Sequence, residues 1–241
     1  MTTQSQLQDL LKAVRNHPLS EPRFFEALLS ATVFAHIPAH QVPGRIRFIQ
    51  FNRPDNGQAV LPFFSDQTKA QRALGSSKEI SILAMDARQL FELTQGATLM
   101  LDPNDDQVTL YPEEITALLT GQALVAFGRE ELSKPEIVGV RAPAVPVDDL
   151  IAILKGYCEE ESDVVAGYIV EVLRGDKQQE ASLLVAIAAP KHVTERVGRA
   201  CMQRAQPHVD NLALPLVLTV IQPEQGALSF YQRGIRFYGQ A

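Results

Sequence analysis

The chain has 241 residues, enough for one large or two ordinary domains, and 46% are hydrophobic against 21% charged, a balance that supplies real cores. Its net charge of -6 divides evenly between the two halves, so neither offers the basic surface that nucleic acid or an anionic membrane requires. Two cysteines, Cys158 and Cys201, exclude a disulfide framework or a Cys-rich zinc site; each falls in a helical pattern where a buried, reduced thiol is expected.

The first stretch, "MTTQSQLQDLLKAV", has neither the basic nor the continuous apolar region of a signal peptide. The longest apolar run, "LLVAIAAP", is far short of a bilayer span. A cytoplasmic protein without membrane contact is expected. Within "SQLQDLLKAVRNHP", Leu7, Leu10, Leu11 and Val14 recur at helical spacing, and Pro18 ends the helix. "SEPRFFEALLSATVFAHIP" reads as a second helix, with Ser20 as N-cap, Pro22 in the first turn and Phe24, Phe25, Leu28 and Leu29 inward.

"RIRFIQFNRPDNGQAVLPFFS" reads as a hairpin. Ile46, Phe48 and Phe51 mark one strand and Val60, Leu61, Phe63 and Phe64 the other, turned at Asn56-Gly57, where both positions tolerate positive φ. Ser65 or Asp66 then caps the helix "DQTKAQRALG", which Gly75 stops. "EISILAMD" is a strand. "ARQLFELTQG" is a helix with Leu90, Phe91 and Leu93 inward and Gly96 as its C-cap. "ATLMLDPNDDQVTLY" is a hairpin turned at Asp102-Pro103-Asn104, and "PEEITALLTG" is a helix from Pro112 to Gly121.

Pro135, Pro143 and Pro146 mark an extended arm. They place a linker over residues 139–146, between a first domain of residues 1–138 and a second of residues 147–241. In the second, "VDDLIAILKGYCEEE" is a helix opened by acids, which suits its dipole. "DVVAGYIVEVLRG" and "QQEASLLVAIAA" are strands turned at Arg174-Gly175-Asp176. "KHVTERVGRACMQRAQ" is a helix with Val193, Val197, Ala200, Cys201 and the stem of Arg204 on one side, and "LPLVLTVIQP" is a third strand. The order predicts an antiparallel sheet with helices on one face. The fold class is therefore α+β in two domains, each an antiparallel or mixed sheet with helices packed on it.

The tempting chemistry fails on spacing. In "DPNDDQVTLYPE", Asp102, Asn104, Asp106 and Glu113 match positions 1, 3, 5 and 12 of a calcium loop. Gln107 stands where the loop needs glycine, however, Pro112 precedes the last ligand, and a strand leads in. "GSSK" lacks the upstream glycine of a phosphate loop. His36 and His40 flank Pro38 and cannot share a helical face as zinc ligands. There is no G-x-S-x-G elbow, and the paired acids fall at turns and first helical turns. No catalytic residue, metal or cofactor is assigned, and a non-enzymatic protein is expected. The C-terminal "ALSFYQRGIRFYGQ" sets Phe230, Tyr231, Phe237 and Tyr238 beside Arg233 and Arg236. Two readings stand: a last strand with its aromatics in the core, or a surface for docking a protein partner or a second copy.

The runs "VLPFFSDQTKAQRAL" and "LFELTQGATLMLDPNDDQVTLYPEEITALL" resemble the N-terminal domain of the SseB family, the enhanced serine sensitivity proteins of bacteria. The shared features are a Pro-aromatic-Phe-Ser run before a helix, and later a glycine, an apolar strand, an Asx-Pro turn and an "EEI" helix. Asp102-Pro103 stands where Asn-Pro is common, which leaves the turn intact. The helix–hairpin–helix–strand order of residues 143–241 is similar to the companion C-terminal domain. The resemblance implies a bacterial cytoplasmic protein tied to serine tolerance and offers no catalytic residues. An adaptor role follows as the expectation, with a ligand-binding regulator of amino-acid metabolism, its pocket between the domains, as the alternative.

Overall fold

A computed structural model describes residues 4–16, 21–41, 43–105, 107–124, 137–174, 180–227 and 229–239. The chain divides into two compact units, residues 1–126 and 127–241. The expected linker over residues 139–146 is not where it divides. Residues Ile137–Arg141 form a strand of the second unit's sheet, because "EIVGVR" is apolar and β-branched enough to pair before the prolines begin. Pro18, Ser20, Asp106, Pro135 and Gly175-Asp176, each given a role above, lie outside the described residues.

The first unit contains α1 (Gln4–Asn16), α2 (Glu21–Leu29), β1 (Thr32–Pro38), β2 (Phe51–Asn52), β3 (Ala59–Phe64), α3 (Gln67–Leu74), β4 (Ile80–Asp86), α4 (Ala87–Leu93), β5 (Leu99–Leu101), β6 (Val108–Leu110) and α5 (Pro112–Leu119). Its sheet runs β4-β1-β3-β5-β6, with β2 also on β3 and the β3–β5 pair parallel. Leu7, Leu11, Phe24 and Leu28 of the first two helices bury against Val33, Ala35, Leu61, Phe63, Leu99 and Leu101 on one sheet face. Burying each such leucine or phenylalanine contributes roughly 1.5–3 kcal/mol. Phe34 and Phe64 point the other way, onto Ala70 of α3.

Four expectations change here. The second helix stops at Leu29, and "TVFAHIP" is the strand β1. Its two faces are both covered, so it lacks the alternation that marks a half-buried strand. Ile46 is 53% exposed and joins no strand, so the first arm of the hairpin shrinks to β2. Leu93 is 57% exposed rather than inward. Thr94 caps α4, and Gly96 takes positive φ in the turn beyond.

The second unit contains β7 (Ile137–Arg141), α6 (Asp148–Glu160), β8 (Ala166–Arg174), β9 (Glu180–Ala188), α7 (Thr194–Val209), β10 (Leu216–Ile221), α8 (Ser229–Gln232) and β11 (Ile235–Tyr238). The sheet order is β10-β9-β8-β11, with β7 also on β8. Leu150, Leu154 and Tyr157 of α6 and Val197, Ala200 and Cys201 of α7 cover Ile169, Leu183, Val185 and Ile187. The antiparallel expectation fails at one place: β10 runs parallel to β9, since α7 carries the chain back across the sheet as a crossover. Arg204 is not a core stem; it pairs with Glu160 at 2.8 Å and lies over the Tyr157 ring.

Candidate functional site

Alternation along β3 sends Leu61 and Phe63 into the helix-covered core and leaves Val60, Pro62 and Phe64 on the opposite face. Among the described residues, the helix that packs there is α3, over Phe34, Phe64 and Ile82. The uncovered remainder is a groove of about 580 Å³, floored by Phe51, Pro62, Phe64 and Met100. Ala73 of α3 forms one wall, and Pro103, Asn104 and Gln107 of the β5–β6 turn form another. That volume lies in the range of pockets that take small molecules or a few side chains.

Pro62 explains why the face opens here. Leu61 donates its N–H to Thr98 and Phe63 accepts from Asp102, so odd-numbered backbone groups of β3 face β5. Position 62 therefore faces the other side. On that side the ladder passes from the Phe51–Val60 pair of β2 to the Ala35–Phe63 pair of β1. A proline lacks the N–H a continuous ladder would need, and it sits at the break between two partners.

The groove's polar groups are few. His36 is 6% exposed, and its Nε2 lies 2.9 Å from the Ala70 carbonyl of α3. A carbonyl oxygen only accepts, so Nε2 carries a proton and donates it to Ala70. At the rim, Arg53 grips Asp55 bidentately, with Nε to Oδ1 at 3.0 Å and Nη2 to Oδ2 at 2.7 Å. That guanidinium holds the Asp55 carboxyl below the usual range, the fixed fork matching both carboxylate oxygens. The turn presenting this pair closes by the Gly57 N–H on the Arg53 carbonyl, 2.8 Å. Gly57, at φ 73°, alone of the Asn-Gly pair takes positive φ.

Behind the β5–β6 wall sits a buried carboxylate. Asp102, 1% exposed and at φ 47°, accepts from the Ser65 N–H (2.9 Å), the Ser65 hydroxyl (2.7 Å) and the Lys69 ammonium (2.7 Å). The Asp66 side chain caps α3 by accepting from the Lys69 N–H at 2.8 Å. Asp102 thus ties the end of β3 and the start of α3 to the turn that walls the groove. Among the described residues, no three His, Cys, Asp or Glu side chains are grouped to hold a metal ion. No described helix is long and apolar enough to cross a membrane.

The six C-terminal residues do not gather on one surface. Strand β11 pairs antiparallel with β8. Phe237, 8% exposed, and Tyr238 join the core beneath the helices. Arg236 lies over the Tyr168 ring at 5.5 Å, and its Nε donates to the Tyr238 carbonyl. Tyr231 packs on the other sheet face, near Tyr168 and edge-on to Phe230, where burial pushes its hydroxyl pKa up. Arg233 is exposed. The groove residues His36, Phe51, Arg53, Pro62 and Met100 were not candidates on the sequence. A proline inside a strand-like run was the one local sign of a broken ladder.

The chain matches two family models: that of the SseB protein N-terminal domain over residues 7–117 and that of the SseB protein C-terminal domain over residues 133–236. It is 28% identical over 200 residues to Protein SseB of Escherichia coli (strain K12), covering 80% of this chain and 76% of that protein. Protein SseB of Shigella flexneri matches to the same extent. No solved structure matches.

Proposed function

Because the chain belongs to the SseB family, we propose that it is a non-enzymatic protein-interaction module of the bacterial cytoplasm, acting in serine tolerance through the groove of its N-terminal unit. The observation that carries this reading is the groove itself: an apolar floor of Phe51, Pro62, Phe64 and Met100 with a sparse polar rim. Such a surface takes the apolar side chains of a partner polypeptide, while rim groups fix its direction. Asp55, the carboxylate at the rim, is already committed to Arg53, which makes it a poor proton carrier at neutral pH.

The test places a photo-crosslinking side chain at Phe51 and compares the wild-type wall with Ala73→Arg, which projects a long cation across the floor. A polypeptide adduct that is at least tenfold weaker with Ala73→Arg supports the proposal. Adducts unaffected by Ala73→Arg, or none at all, overturn it. A second reading draws on the groove's volume of about 580 Å³, which also suits a small ligand such as an amino acid. Under that reading serine or a related metabolite raises the melting temperature, because a ligand bound only to the native state stabilises it; Ala73→Arg abolishes the shift.

A further inference from the structure

We propose that the open edge of β10 in the C-terminal unit pairs antiparallel with β10 of a second copy, joining two five-stranded sheets into one across a two-fold axis at Leu218. Among the described residues, strand β10 ends its sheet, with β9 on one side and α7 on one face. Its residues Leu216 to Val220 all remain half-buried. The N–H of Leu183 bonds to the Pro215 carbonyl and that of Ala189 to the Ile221 carbonyl. Odd-numbered backbone groups of β10 therefore face β9, and those of Leu216, Leu218 and Val220 face outward. An edge of this kind is ordinarily blunted by lysine, proline or a bulge. Here residues 211–222 carry no charge, and the prolines at 215 and 223 only bracket the strand.

The occupant is a second copy because the edge is complementary to itself. With Leu218 opposite Leu218, Leu216 meets Val220 on both sides, and all three outward residues of each strand exchange both hydrogen bonds. A shift by two residues leaves one of the three without a partner inside the strand Leu216–Ile221, and the next outward N–H beyond its end, that of Gln222, is already bonded to Gln225 Oε1. The side chains of Leu216, Leu218 and Val220 lie on the α7 face. There Gly198 lets the helix come within 3.4 Å of Val220, measured from where a Cβ would stand. Four residues on, Met202 is half-buried on that helix face, and Glu195 is paired with Arg199 at 3.4 Å. The helix flank thus adds apolar area without an unpaired charge. A strand edge alone falls short of the roughly 800 Å² per partner of a standard interface, so the α7 flanks must take part in the contact.

The full chain is tested by light scattering at tens of micromolar. The expected mass is twice the 26.6 kDa of one chain. Thr219→Lys, which sets two lysines beside the axis, and Leu218→Pro, which removes the central outward N–H, return it to one. Circular dichroism confirms that each variant is folded. Mild oxidation of Leu218→Cys gives a disulfide-linked dimer, whereas Leu216→Cys alone gives none, since its partner position is Val220; the native cysteines are buried and do not compete. A wild-type monomer, a dimer indifferent to folded Thr219→Lys, or cross-linking through Leu216→Cys rather than Leu218→Cys overturns the proposal. The groove of the N-terminal unit plays no part in these outcomes, so the two proposals fail independently.

Discussion

Removing the Asp102 carboxylate tests how the groove wall is held. Three donors converge on it, two from Ser65 and one from Lys69. In Asp102→Ala the Ser65 N–H, in a residue 1% exposed, loses its partner, at a cost of about 1–3 kcal/mol. The Lys69 side chain is 16% exposed and also reaches Asp105 at 3.7 Å, so water and that second acid absorb part of its loss. We discount the ion pair to about 1 kcal/mol. Alanine also fits the φ of 47° worse than aspartate, by about 1 kcal/mol. The sum is about 4 kcal/mol. Asp102→Gly avoids the backbone term and costs about 3 kcal/mol, and Asp102→Asn keeps an acceptor for Ser65 and tolerates the conformation, at about 2 kcal/mol. The chain has no tryptophan, so Phe48→Trp, beside the N-terminal core, reports urea unfolding of that unit alone. The order Ala, Gly, Asn from most to least destabilised is expected. Asp102→Ala as stable as wild type, or less damaging than Asp102→Asn, refutes the reasoning.

Gly234→Ala drives a Cβ to 2.2 Å from the Ile169 carbonyl oxygen, and Gly167→Ala drives one to 2.5 Å from the Phe237 ring. Each destabilises the C-terminal unit by about 2 kcal/mol, read as a fall in melting temperature. Arg141 holds the buried Glu171 carboxyl below the usual range, helped by the Ala144 N–H. A depressed carboxylate stabilises above its unfolded pKa of about 4.3, and that contribution is lost as pH falls through the lower folded value. Acid unfolding followed by circular dichroism should therefore show a shallower loss of stability below about pH 4.3 in Glu171→Gln; an unchanged slope contradicts this. Burial pushes the Cys158 thiol up to about 12. Iodoacetamide at pH 8 should leave Cys158 unmodified in the native protein and alkylate it in urea, as mass spectrometry would show; rapid native labelling overturns that placement.

Much of the local structure is legible in the residues themselves. Leu7, Leu10 and Leu11 announce α1, Asp66 and Gly75 bound α3, and Asp102-Pro103 turns β5 into β6. Each of these depends on groups a few residues apart, which backbone sterics and capping hydrogen bonds arrange without help from the rest of the chain. Membership of the SseB family is legible from the same short runs. The strand β1 was not legible, because burial on both faces erases its alternation, and the parallel course of β10 was not, because it depends on which way α7 crosses the sheet. The groove depends on distant pairings: Pro62 meets Met100 across the ladder, while His36 and Ala73 arrive from β1 and α3. Sequence specified which faces are apolar. Only the tertiary pairing decided which of those faces a helix covers and which stay open, since burial is a property of the partners an element finds rather than of the element alone.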